Sequence, residues 1–269
     1  MPVPVLLRQD NHHEPRDLTP SHGTCCGQTD KAMKTASDQQ KTNVQHLGEK
    51  MALDHGFLGV PTQTFDEGGR RQFAELLREG LSPETSVLEI GCGCLRTAYW
   101  LIPFLGEQNY CGIEPHRDRV RWGLDLLFDD QVLRQRQPRF DHNAEFDLSV
   151  FGKKFDMVLA GSIWTHCSKS HIRTMLEGFL QNSNENAVFL VSYLPARSPE
   201  EDYNGTAWVG TSHVSDEPGI VRHSKSWIDT ECTSLGLRVD FLDRKAFDGQ
   251  LWLRVQRASS IGFPGRLQD

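Results

Sequence analysis

Val87-Leu-Glu-Ile-Gly91-Cys-Gly93-Cys-Leu-Arg96 decides how this 269-residue chain is read. A short apolar run that suits a buried strand leads into Gly-x-Gly. A helical stripe then follows through Leu95, Ala98, Tyr99, Ile102 and Leu105. Gly91 permits a tight turn, and Gly93 lets a ligand approach the backbone where a Cβ would obstruct it. A helix starting directly behind the turn presents unpaired N–H groups. In an open parallel sheet this first turn lies beside the crevice where nucleotides bind.

The same alternation repeats outward from the turn. Phe73, Leu76 and Leu77 recur at helical spacing between Asp66 and Gly80, and the first strand spans Ser86 to Ile90. Pro103 should kink or shorten the helix after the glycine turn. Asn109 to Glu114 reads as a second strand stopped by Pro115, with a helical stripe after it at Val120, Leu124, Leu127 and Phe128. A short strand is expected near Pro138 to His142. Phe155 to Ala160 is a strand apolar on both faces, followed by a helix with Ile172, Met175, Leu176 and Leu180 and a buried strand from Ala187 to Leu194. After an irregular stretch, Pro195 to Arg222, Ser224 can cap a helix carrying Trp227, Ile228 and Leu235. Two strands finish the pattern, Leu237 to Leu242 and Gln250 to Val255. The short polar loop between them, with Asp248-Gly249, forces them antiparallel. The whole predicts an α/β, doubly wound and mostly parallel sheet with helices on both faces.

Composition sets the outer limits. Hydrophobic residues make up 38% and charged residues 24%, ordinary for a folded chain of one or two domains. Before Phe57 there is no aromatic residue, and polar types dominate. We expect disorder over roughly 1–44, an N-terminal extension over 1–50, a single domain over 51–257 and a loose tail over 258–269. His12, His13, His22, Cys25 and Cys26 in the extension lack zinc-finger spacing, so no metal site is read there. The net charge of −7 argues against a general nucleic-acid binder. No run is long and apolar enough to span a membrane. Seven cysteines, four of them among apolar runs, fit a reducing compartment such as the cytoplasm.

Glu114 stands 21 residues beyond Gly93, at the end of the second strand. An acid there can accept hydrogen bonds from both ribose hydroxyls. We read it as an exposed strand-end carboxylate whose removal leaves folding intact. The dinucleotide fingerprint wants a third glycine where Arg96 stands, which argues against a pyrophosphate cofactor. VLEIGCGCLR, GIEP (112–115), FDMVLAGSIWTH (155–166) and the terminal pair GLRVDFLD…FDGQLWLRVQR together resemble the class I S-adenosylmethionine-dependent methyltransferases, over about residues 57–257.

The resemblance implies a seven-stranded sheet of order 3-2-1-4-5-7-6 with strand 7 antiparallel, and S-adenosyl-L-methionine as cofactor. It implies that Glu89, Gly91, Cys92 and Gly93 line the methionine end and that Glu114 binds the ribose. Glu145 and Phe146, in the loop 143–147, would flank adenine, and Ala160, Gly161 and Ser162 would face the sulfonium. The reaction would be a direct in-line displacement onto an O or N atom of a small-molecule acceptor.

His166, just after the fourth strand, is the candidate general base; the same residues also read as a turn capping the next helix. His171, further on, is expected to be exposed. The 195–222 segment exceeds an ordinary loop. It reads as a substrate lid in which Tyr203, Trp208 and His213 contact the acceptor. Arg117, Arg119, Arg121, Arg134, Arg136 and Arg139 form a basic flank that could touch RNA phosphates, but alternating Arg and Asp on a helix is more often a solvated face. Other readings stay open: an RNA or protein methyltransferase, a non-catalytic adenosyl-cofactor-binding module, and a nicotinamide-dependent oxidoreductase.

Overall fold

The computed structural model describes residues 42–56, 58, 60–210, 219–247 and 249–258. In chain order these form α1 (Asn43–His55), α2 (Phe65–Arg78), β1 (Val87–Ile90), α3 (Ala98–Phe104), β2 (Tyr110–Ile113), α4 (Arg117–Leu127), α5 (Asp130–Arg136), β3 (Arg139–Asp141), β4 (Phe155–Ala160), α6 (Lys169–Asn182), β5 (Ser183–Tyr193), α7 (Lys225–Ser234), β6 (Leu237–Lys245) and β7 (Leu251–Arg257).

All seven strands join one sheet in the order β3-β2-β1-β4-β5-β7-β6. β1 pairs in parallel with β2 on one side and β4 on the other, while β7 enters antiparallel between β5 and β6. This is the expected order, and the reason is visible in β1. Every one of its residues is buried, and alternate side chains enter different cores. Leu88 and Ile90 pack with Ile172, Met175 and Phe179 of α6 and Ile228 of α7. Val87 packs with Leu76, Leu101, Leu105 and Val120 on the opposite face. A strand covered on both faces needs crossover helices on both, which is what a parallel sheet provides. The winding reverses at β1, so the ends of β1 and β4 open a crevice.

The structure differs from the sequence reading in four places. Helix α1, Asn43–His55, begins inside the segment assigned to the N-terminal extension over 1–50. Val44, Gly48 and Met51 fall on one buried face. Gln45 ties that face down, donating to Thr62 O at 2.7 Å and accepting from Asp66 N at 3.2 Å. In α2 the buried face runs through Phe65, Gly68, Gly69, Gln72 and Leu76, and Leu77 is exposed. The glycine pair decides this, because Cβ atoms there would collide with Arg96. Arg96 therefore finds room that the glycine fingerprint alone denies it. α3 begins at Ala98, not directly behind Gly93; Leu95 takes φ 66°, which no helix allows. Pro103 sits near the end of this short helix, as expected of a shortened one. Helix α5 is additional, capped by Asp129, whose Oδ1 accepts from Val132 N at 2.9 Å.

The described part of 195–222 is fastened to the β4–α6 turn. Val209 N donates to His166 O and Val221 N to Thr165 O, both at 2.8 Å. Lys169 Nζ meets Asp202 and Asn204 at 2.7 Å each. His213 and His12, His13, His22, Cys25 and Cys26 of the N-terminal extension lie outside the described residues, as does the tail beyond Ala258. Among the described residues no helix is long and apolar enough to cross a membrane.

Candidate functional site

β1 and β2 end side by side, with Ile90 in register with Ile113. The turn after β1 and the residue after β2 therefore meet. Glu114 is 1% exposed, a correction to its reading as a solvated strand-end acid. Its Oε2 accepts from Gly93 N and its Oε1 from His116 N, each at 3.0 Å. Arg119 Nη1 lies 3.9 Å from Oε1. Two backbone donors and a guanidinium make a buried carboxylate tenable. Each oxygen has a second lone pair beyond the backbone bond it accepts.

The two glycines of the turn act differently. Gly93, at φ 53°, borders open space that a Cβ would enter. Gly91, at φ 73°, is packed by Ile163, whose side chain a Cβ would strike. Gly91 and Ile163 line both of two adjoining cavities. One, of about 200 Å³, is largely apolar, with Ile90, Ile113, Pro115, Phe146 and Trp208 and the polar edges of Asn143, His116 and His171. The other, of about 70 Å³, is polar, with Glu89, Gly93, Arg96, Thr97, Glu114 and Arg119 beside Gln72, Gly161, Ser162 and His166.

Side-chain protonation follows from neighbours. Glu89 accepts from Tyr110 Oη at 2.6 Å. Burial pushes its carboxyl up to about 7, against the pull of the Tyr110 and Thr97 hydroxyls and the Arg96 charge. Burial raises the Cys92 thiol well above its usual value, so this cysteine is an inert wall. His166 Nδ1 lies 2.6 Å from Val209 O. A carbonyl only accepts, so Nδ1 carries the proton and Nε2 keeps a lone pair. Burial lowers the His166 pKa, which keeps the ring neutral. Trp208 stacks on it at 5.4 Å and also meets Phe146 at 6.2 Å. His171 is half-buried rather than exposed. Its Nδ1 accepts from Ser168 N at 3.3 Å in the capping box that starts α6, so its Nε2 bears the hydrogen.

Most of the sequence-derived residues converge here. Glu89, Gly91, Cys92, Gly93, Glu114, Phe146, Gly161, Ser162, His166 and Trp208 line one cavity or the other. Three do not. Ala160 is wholly inside the sheet core. Glu145 is exposed, and its Oε2 accepts from Ala144 N at 2.9 Å. Asn143 reaches the cavity in its place, clamped by a 2.9 Å bond from its N to Asp141 Oδ1 and by Asp147 N donating to its Oδ1 at 2.9 Å. Tyr203 faces away, donating to Ala207 O at 3.1 Å and bordering the surface around Glu201 and Arg222. Sequence reasoning placed Asn143 only as a member of the adenine loop, and it missed Gln72, Ile163 and the pair Ser192 and Gln250, which tie down Ser162. Only Gln72 left a signal: an uncharged polar residue in step with Gly68, Gly69 and Leu76.

No protein-family model matches the sequence, and no curated protein matches it. Solved structures do. DhpI in complex with SAH aligns at TM-score 0.53 and 15% identity, over 79% of this chain and 95% of that one. Magnesium protoporphyrin IX methyltransferase (ChlM) from Synechocystis PCC 6803 with bound SAH gives TM-score 0.52 and 14% identity, over 79% and 93%. DesVI from Streptomyces venezuelae gives TM-score 0.52 and 15% identity, over 81% and 100%. The strand order, with its antiparallel β7, is that of the class I S-adenosylmethionine-dependent methyltransferase fold. The likeness extends over nearly the full length of each of these neighbours.

Proposed function

We propose that this chain is an S-adenosylmethionine-dependent methyltransferase acting on an oxygen or nitrogen atom of a small-molecule acceptor. The observation that carries the reading is the buried Glu114 carboxylate at the Gly93 turn, where an apolar and a polar cavity adjoin. The residues present fit the cofactor. Pro115, Ile163, Phe146 and Trp208 suit the faces of adenine, and Asn143 and His171 its edge. The second lone pairs of Glu114 suit the ribose hydroxyls. Glu89, Thr97 and the open approach to Gly93 suit the amino-acid end, and the positive charges of Arg96 and Arg119 line the same cavity. Trp208 thus serves the cofactor rather than the acceptor, a change from the sequence reading. That DhpI and ChlM were solved with SAH supports the assignment.

When bound, the cofactor supplies an electrophilic methyl group whose bond to sulfur breaks as the acceptor's electron pair forms the new bond. The chain's own task is to hold and orient, and alignment of the reacting atoms can be worth roughly 7–11 kcal/mol. His166 Nε2, neutral and oriented through the Val209 carbonyl, receives the proton of an acceptor that arrives protonated. A small acceptor fits better than RNA. Arg119 is buried against Glu114, while Arg121 and Arg134 pair with Asp118 at 3.0 Å and Asp130 at 3.6 Å.

Calorimetric titration with S-adenosylhomocysteine, set against oxidised and reduced nicotinamide dinucleotides, tests the reading. S-adenosylhomocysteine is expected to bind and the dinucleotides not to. The reverse pattern contradicts it.

A further inference from the structure

Gln72 projects from the inward face of α2 and is 2% exposed. Among the described residues its carboxamide makes no hydrogen bond. The polar atoms of that amide are not sealed in the core but open onto the cavity, where a bound molecule can pair with them. This amide lines the polar cavity with Gly161, Ser162 and His166. It lies so close over Gly161 that a Cβ there would strike its Oε1. Gly161 therefore keeps the amide against the end of β4.

Ser162 is held by a closed ring of hydrogen bonds. Ser162 N donates to Ser192 Oγ at 2.7 Å, Ser192 Oγ donates to Gln250 Oε1 at 2.7 Å, and Gln250 Nε2 donates to Ser162 Oγ at 2.6 Å. The ring sustains φ 62° at Ser162, a conformation a non-glycine residue adopts only under constraint. It also uses the Ser162 oxygen as an acceptor, which leaves the hydroxyl proton to be donated outside the ring. Two uncharged hydrogen-bonding groups and the lone pair of His166 thus share one small cavity.

We propose that Gln72 faces the methyl group to be transferred and, together with Ser162, seats the reacting group of the acceptor. The inference rests on the methyltransferase reading and adds to it a residue from α2. An amide that both gives and takes hydrogen bonds suits a hydroxyl, which does the same. It offers no charge to balance a carboxylate or an ammonium.

Sinefungin tests the seat without knowledge of the acceptor, because it carries an amine-bearing carbon where the cofactor has its methyl-bearing sulfur. Calorimetry gives the ratio of the sinefungin Kd to the S-adenosylhomocysteine Kd in each variant, so that S-adenosylhomocysteine serves as the folding control. Gln72→Leu should raise this ratio about tenfold by removing a hydrogen bond to a charged amine. The near-isosteric Gln72→Glu should lower it, and carries the test should the leucine variant fold poorly. A ratio unchanged in both variants overturns the proposal. So does loss of S-adenosylhomocysteine binding in both, which marks Gln72 as structural. If the wild-type protein binds no S-adenosylhomocysteine, the methyltransferase reading itself fails, and this inference with it.

Discussion

Glu114 concentrates the chemistry of the site in one carboxylate, and its substitution separates binding from packing. Glu114→Gln keeps the shape but sets an amide N–H against one of the two backbone donors at Gly93 or His116. S-adenosylhomocysteine affinity is expected to fall ten- to a hundredfold, the range of about 1–3 kcal/mol for a lost charged hydrogen bond. Because the group is buried, stability should fall as well, and calorimetry beside urea denaturation reads both. Glu89 offers a second test. Its native pKa, about 7, lies above that of an unfolded glutamate. Below both values it is protonated in either state and costs nothing. As pH rises between them, the unfolded chain releases a proton that the native chain retains, so the native state loses stability until both are ionised. The stability advantage of Glu89→Gln over wild type should therefore grow between about pH 5 and pH 7, by of order 2 kcal/mol. A pH-independent difference in urea denaturation would show that the carboxyl is not held protonated.

Among the elements, those legible in the sequence were the ones whose pattern the backbone alone dictates. β1, β4 and β5 announce themselves as apolar runs because both faces are covered. Ser224 caps α7 as its residue type predicts, its Oγ accepting from Trp227 N at 3.2 Å. What escaped depends on partners distant in sequence. α1 is too polar to be read as ordered until Thr62 and Asp66 receive Gln45. The inward face of α2 carries Glu75 as well as leucine, because β6 and β7 bring Arg244 and Arg254 to it. Glu75 and Glu79 are buried at 2% and 4% side-chain exposure. Arg244 pairs with both, and Arg254 spans Glu79 and Asp240 at 2.9 Å each. Arg244→Ala leaves Glu75 to Arg78 and Glu79 to Arg254 and should cost roughly 2 kcal/mol in urea denaturation, as the loss of hydrogen bonds to buried charges does; a change below about 0.5 kcal/mol would make the pairing incidental. The length of the segment 195–222 set it apart in the sequence, but nothing in it told cofactor from acceptor. Trp208→Ala should weaken S-adenosylhomocysteine at least tenfold, as loss of a stacked, buried aromatic does. An unchanged Kd returns Trp208 to the acceptor side.

At the scale of the whole molecule, the winding of the sheet makes the site. Reversal at β1 brings the turn after β1, the acid after β2 and the Gly161-Ser162 corner after β4 to one crevice. α2 and the described part of 195–222 then bound it, with Gln72 and Trp208. Strand-and-helix alternation made a doubly wound, mostly parallel sheet legible in advance, and the family resemblance supplied its order. Of the closing residues, Trp208 was singled out in advance, as an acceptor contact, whereas Gln72 was passed over because a polar residue on a helix face reads as solvated until the fold buries it. The direct measurement is a crystal structure with S-adenosylhomocysteine bound. Both ribose hydroxyls are expected within hydrogen-bond distance of the Glu114 carboxylate, with adenine between Pro115 and Ile163 and the homocysteine chain passing over Gly93. A nucleoside seated elsewhere, with Glu114 still bonded only to Gly93 and His116, would contradict the assignment.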